Sequence, residues 1–302
     1  MTIGLQGFFT IKIRQPCGTI RREYRFPNLI LDNGLDGIGT NGLSWMQTIA
    51  LGTDSTPPNA SQIGLISLGP STTTSNAGTT GFVAGPPPYG WFRESKRFAA
   101  GTATGTWSEV GIGRTGSNLW SRSLILDGGG SPLPITVLAI EIVDIEYELR
   151  MYRDITDATG TRTISGVDYD YIMRPAGLVS YSNCPARNLV DGTWMTTGSG
   201  AGKYIYDGAI GLYTGAPSGL SAFDYQESSV AAYSAGTYTK TTTFNWSIDN
   251  GNVSGGAKSF YGATFYNVTN IVRHQIEFDP VIPKNNTRTL SLTVSETWAR
   301  RP

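Results

Sequence analysis

Five short motifs in the first half of the chain return in the same order in the second half. Ile11-Lys12-Ile13-Arg14-Gln15 is matched by Tyr171-Ile172-Met173-Arg174-Pro175, and Asn28-Leu29-Ile30 by Asn188-Leu189-Val190. Ile49-Ala50-Leu51-Gly52-Thr53 is matched by Ile210-Gly211-Leu212-Tyr213-Thr214, and the stretch Asn118 to Asp127 by Asn270 to Asp279. The run Ile140 to Leu149 is matched by Leu290 to Trp298. Ordered recurrence with slowly drifting offsets marks tandem copies of one unit. The expectation is two domains, 1–160 and 161–302, related by internal duplication. A chain of 302 residues is long enough for two ordinary cores.

Within each copy the pattern is that of strands. Phe9, Ile11 and Ile13 alternate with Thr10, Lys12 and Arg14, which reads as a half-buried strand. Gly18 permits a turn, and Ile20 to Phe26 returns as a hairpin partner. The 38 glycines and the 11% aromatic content suit short strands joined by tight turns rather than helices. Only a short helix is expected, at 33–43 or 60–66. The fold class is therefore all-β, two tandem antiparallel β-sandwich domains. In the longest run, 134–152, the alternation slips by one residue at Ile142–Val143, which predicts a β-bulge. Residues 53–95 read as a long loop: a Pro/Thr-rich start, a Ser/Thr/Asn/Gly tract, then Gly85-Pro86-Pro87-Pro88-Tyr89-Gly90. Consecutive prolines donate no N–H to a ladder. A second Gly/Ser/Thr-rich loop spans 192–202.

Charge and chemistry narrow the function. Lys plus Arg and Asp plus Glu both number 23, so no basic face for nucleic acid is expected. No apolar stretch is long enough to span a membrane as a helix. The N-terminus lacks a signal-peptide pattern, which predicts assembly in the cytoplasm. The one histidine, His274, has no evident catalytic partner and is expected at a polar surface or interface. No Gly-x-Ser-x-Gly elbow occurs, and the glycine clusters do not open helices. Two cysteines, Cys17 and Cys184, and one histidine cannot build a usual zinc site, and both thiols are expected reduced. Asp168 and Asp170 would share one strand face about 7 Å apart. That spacing suits an ion or arginines, but a solvated face is the commoner outcome. No paired-acid cleft of a glycosidase is evident. The expectation is a protein without catalytic, metal or cofactor residues.

The aromatic run is the candidate contact site. Tyr89, Trp91 and Phe92 beside the three prolines would present large rings from a loop, where they could anchor a partner or stack on a sugar. The alternative is that Trp91 and Phe92 fold back onto the core.

Several stretches carry a resemblance. Asn28 to Asp36, Ser108 to Gly113, Leu119 to Asp127, Ile135 to Leu138 and Ile164 to Tyr171 resemble a recurrent pattern in tailed-bacteriophage tail proteins. The likeness covers most of residues 8–175 and is faint beyond. It implies a non-enzymatic structural component of the tail tip, baseplate or fibre region. Such a protein would sit in the virion and contact other tail proteins, as a homo-oligomer around the tail axis. A second reading is a receptor-binding protein whose loop aromatics recognise a host surface glycan or pilus.

Overall fold

The computed structural model of the chain describes residues 2–40, 44–190, 203–224, 229–267 and 270–301. The alternation at the start does build a strand. β1 (Thr2–Arg14) buries Ile3, Leu5, Phe9, Ile11 and Ile13 and turns Lys12 and Arg14 outward. Gly18, at a φ of 89°, reverses the chain into β2 (Ile20–Pro27). β3 (Leu29–Ile30) leads into the short helix α1 (Asp32–Gly39), then β4 (Thr48–Gly52), β5 (Leu68–Thr72), β6 (Ser75–Val83) and β7 (Tyr89–Phe98). The first half continues with β8 (Gly105–Trp107), β9 (Glu109–Thr115), β10 (Asn118–Leu124), β11 (Ile135–Val137) and β12 (Ile142–Arg153). The second half holds β13 (Ala158–Ile164), β14 (Val167–Ala176), a 3-10 turn at Tyr181–Asn183, α2 (Ala186–Val190), β15 (Lys203–Tyr206) and β16 (Ser221–Asp224). It ends with β17 (Ser229–Val230), β18 (Thr239–Trp246), β19 (Ala257–Asn267), β20 (Asn270–Ile282) and β21 (Leu290–Arg300).

These strands form an all-β, sandwich-type molecule. An eight-stranded sheet runs β17-β18-β21-β1-β12-β7-β6, with β2 alongside the later part of β1. A five-stranded sheet, β3-β10-β9-β4-β5, covers its first-half strands. Across these layers the Trp120 indole N–H donates to the Tyr147 hydroxyl at 2.9 Å. A six-stranded sheet, β13-β14-β20-β19-β15-β16, covers the other end. There the Trp246 and Phe260 rings pack 5.2 Å apart. β8 and β11 pair separately.

The large sheet continues from one half of the chain into the other. β1 pairs antiparallel with β12 and parallel with β21, Thr2 opposite Thr297. The first core also recruits second-half side chains, among them Leu178, Cys184, Leu189 and Trp298. Trp298 donates to the Leu35 carbonyl at 2.8 Å and stacks on Tyr233. The boundary at residue 160 therefore does not separate two sets of sheets. The recurrent motifs also land unevenly. β10 and β20 both lie in covering sheets, and β12 and β21 both lie in the shared sheet. The others differ. β1 lies in the shared sheet and β14 in a covering sheet, Asn28–Ile30 ends in a strand and Asn188–Val190 in α2, and residues 210–214 form no strand opposite β4.

Two local expectations need correction. No bulge interrupts β12, whose register with β1 and β7 is unbroken. The phase slip marks where the strand begins. Residues 138–141 form a turn closed by the Glu141 N–H on the Leu138 carbonyl at 3.0 Å, leaving Ile140 62% exposed. The loop expected at 53–95 contains β5, β6 and much of β7, so only 53–67 and short connections stay irregular. The Gly/Ser/Thr loop at 192–202 lies outside the described residues.

Candidate interaction face

Antiparallel neighbours place directly opposed residues on the same face of a sheet. On the outward face of β1, β12 and β7 this builds five rows. They are Lys12–Asp144–Arg97, Thr10–Glu146–Ser95, Phe8–Glu148–Arg93, Gln6–Arg150–Trp91 and Gly4–Tyr152–Tyr89. β12 thus supplies a line of acids down the middle, and β1, β2 and β7 supply cations on both flanks.

The acids are nearly buried beneath those cations. Asp144 accepts from Arg97 Nε at 2.6 Å and from Arg14 Nε at 2.7 Å. Glu148 accepts from Arg150 Nε at 2.6 Å, Arg93 Nε at 2.7 Å and Arg25 at 3.1 Å. The Asp144 and Glu148 side chains are 4% and 2% exposed. Burial alone would raise both carboxyls. The arginine hydrogen bonds and charges outweigh it and hold both below the usual carboxylate range. The guanidiniums themselves remain partly open to water, so each pair taken singly is worth only about 0.2–1 kcal/mol. Their combined effect is to fix where each arginine points.

The same arginines stack on rings. Arg25 and Arg150 lie over Phe8 at 4.9 and 4.6 Å, and Arg93 lies over Trp91 at 4.5 Å. Tyr89 faces Tyr152 at 4.8 Å between ring centres and carries Arg150 at 5.0 Å. Trp91 lies across Gly81 of the neighbouring strand, where a Cβ would come within 2.4 Å of the indole. Glycine there is the space the ring occupies.

Of the three aromatic residues singled out from sequence, Tyr89 and Trp91 therefore join this face, on a strand rather than a loop. Phe92 does not. It points to the other side of β7 and is 1% exposed in the core. Adjacent strand residues alternate sides, so a contiguous Trp-Phe pair cannot present both rings outward. The sequence reading missed Phe8, Arg25, Arg93 and Arg150. Its available signal was the period-two charge at Asp144, Glu146, Glu148 and Arg150; the flanking partners depend on register.

The other singled-out residues are accounted for locally. Asp168 and Asp170 are exposed and accept from Thr163 and Thr161, each at 2.6 Å. Among the described residues no group of three or more acids, histidines or cysteines is placed to hold a metal ion. Cys17 is exposed and Cys184 buried, and both are free thiols. Burial pushes the Cys184 thiol up to about 12.

His274 is not at the surface. It is 3% exposed, and its Nε2 lies 2.5 Å from Glu296, which also receives Arg153 Nη1 at 2.5 Å. Burial pushes the His274 ring below its ordinary value, against the opposing pull of Glu296. Burial opposes ionisation of Glu296 too, but Arg153 and His274 prevail and hold it at about 2. The cluster ties β12, β20 and β21 together in the interior. Compared with known proteins, the chain matches no family model, no curated protein sequence and no solved structure.

Proposed function

We propose that this chain is a non-enzymatic structural protein of a tailed-phage tail, placed at the tail tip, baseplate or fibre attachment. It works by holding neighbouring subunits. The observation that carries the contact role is the outward face of the shared sheet. Arginine, tryptophan and tyrosine dominate interface hot spots, and here they are already fixed by buried acids and ring stacking. Side chains ordered before contact lose less freedom on binding. The tail assignment rests on the sequence resemblance carried by Asn28 to Asp36, Ser108 to Gly113, Leu119 to Asp127, Ile135 to Leu138 and Ile164 to Tyr171.

The virion location, the contacts with other tail proteins and the homo-oligomer around the tail axis belong to the same proposal. Its symmetry follows from how copies of one face meet. An origin by duplication is also proposed, carried by the strand pairs β10/β20 and β12/β21 and followed by divergence of the first strands.

The face favours a protein partner over a glycan. A sugar needs an open ring, yet Arg93 lies over Trp91, and Arg150 and Tyr152 flank Tyr89. The test is genetic and structural together. Trp91→Ala with Arg93→Ala and Arg150→Ala should give folded protein that no longer enters particles. Complete particles that fail only to adsorb would instead support the receptor reading.

A further inference from the structure

The sandwich of the second half is open along one side. In β21, the stretch Leu290–Glu296 pairs with β18 on one side only, because β1 meets β21 just at Thr297–Arg300. The direction of the ladder is set. The Trp298 N–H points to β18, at the Tyr238 carbonyl, and the Arg301 N–H points the other way, to the Leu5 carbonyl. Alternation therefore turns the backbone N–H and C=O of Ser291 and Thr293 away from β18. Among the described residues no strand lies on that side of them. On the facing sheet the edge strand is β13.

Between these two edges lies a cleft of about 240 Å³. It is lined by Tyr171, Met173, Ile276, Phe278, Leu292 and Val294, all from the second core or packed against it. That is more than the roughly 150 Å³ that accepts a benzene ring. Arg162 of β13 lines the same cleft, and its guanidinium makes no ion pair or hydrogen bond with the described residues.

We propose that this edge and cleft form an acceptor site for an extended strand of another protein. The incoming segment would add to β21 at Ser291–Thr293. It would place large apolar side chains at alternate positions into the cleft and an acidic side chain against Arg162. Three independent features select this occupant. A row of outward-turned backbone groups is matched by another strand and not by a compact ligand. The slot continues the edge along which β1 already pairs, so the added strand stops where Thr2 meets Thr297. The charge at the mouth is positive and, among the described residues, uncompensated. The site lies away from the arginine–aromatic face and does not depend on the phage assignment.

The test uses the full chain and a fluorescein-labelled nonapeptide, Asp-Thr-Val-Thr-Phe-Thr-Val-Thr-Asp, whose acidic and apolar side chains share one face of a strand. Fluorescence anisotropy should show saturable binding, and hydrogen exchange should show new protection of the Ser291 and Thr293 amides. Thr293→Pro removes one outward N–H while the β18 ladder runs through Leu292 and Val294, and it should weaken binding at least tenfold. Arg162→Glu, at an exposed position, tests the charge without touching the core. It should weaken the Asp-ended peptide and strengthen a Lys-ended one. Absence of saturable binding up to about 1 mM would overturn the proposal. So would unchanged binding by both variants, or displacement of the peptide by naphthoic acid with the edge amides unprotected. Self-association of the chain abolished by Thr293→Pro would replace the foreign strand by a second copy and overturn it equally.

Discussion

The segment 53–67 has no regular structure before β5, yet a buried ion pair helps to fix it, beside the backbone bonds of Ala60, Ile63 and Leu65 to Asp32, Leu119 and Gly116, and removing that pair gives a sharp test. Arg122 on β10 and Glu109 on β9 are both fully buried, with Arg122 Nε 2.7 Å from Glu109. The guanidinium also donates to the Thr56 carbonyl at 2.9 Å and to Gln62 at 2.8 Å. The carboxylate accepts from the Ser67 N–H at 3.0 Å. Arg122→Met leaves Glu109 as an uncompensated buried charge, which costs about 3–5 kcal/mol. An ion pair standing alone would be replaceable, and Arg122→Met with Glu109→Leu would then be neutral or stabilising. Here the double change also removes the hydrogen bonds to the Thr56 carbonyl, to Gln62 and from the Ser67 N–H, net about 0.5–1.5 kcal/mol each because water can reach these residues. The double variant should therefore stay about 1.5 kcal/mol or more below the parent. Urea unfolding with unchanged slope measures both, and limited proteolysis should cut first within 53–67. A double variant as stable as the parent would refute the claim that these side chains hold the segment.

Four further outcomes follow from the same geometry. Phe92→Ala should cost about 3–5 kcal/mol, whereas Trp91→Ala should cost no more than about 1 kcal/mol, as thermal unfolding of the two will show. Gly90→Ala drives a Cβ to within 1.8 Å of the Cys184 carbonyl oxygen, and should destabilise by about 1–3 kcal/mol or more. Stability should fall with acid in two stages. The lowered His274 value means the unfolded chain takes up that proton first, so loss begins as pH drops past about 6.5. The depressed Asp144, Glu148 and Glu296 carboxyls add a steeper loss below about pH 4; in denaturant titrations across pH, His274→Asn should abolish the first stage and soften the second only by the part of the Glu296 shift that His274 supplies. A thiol reagent should label Cys17 at once and Cys184 only on unfolding, because Cys184 is buried with its Sγ 3.0 Å from the Met151 carbonyl.

Strands with clean alternation could be read from sequence because one face is apolar and the other charged. β1 and the body of β12 are of this kind. The all-β class followed from them. The shared sheet could not be read, because the β1–β21 pairing joins residues at opposite ends of the chain and no local pattern specifies it. Ile140 misled because an exposed turn residue happened to extend the apolar period into a false bulge. The site was half legible. Tyr89 and Trp91 are aromatic and two apart, so they share a face. Arg25 and Arg93 gain their meaning only from the register that sets them beside Glu148.

The central claim is that the chain holds neighbours in a tail through the outward face of its shared sheet. A cryo-electron microscopy map of the purified virion tests it most directly. The account predicts the subunit in the tail, with Phe8, Trp91, Arg93 and Arg150 covered by an adjoining protein. A particle that lacks the subunit, or one in which that face stands open to solvent, would contradict it.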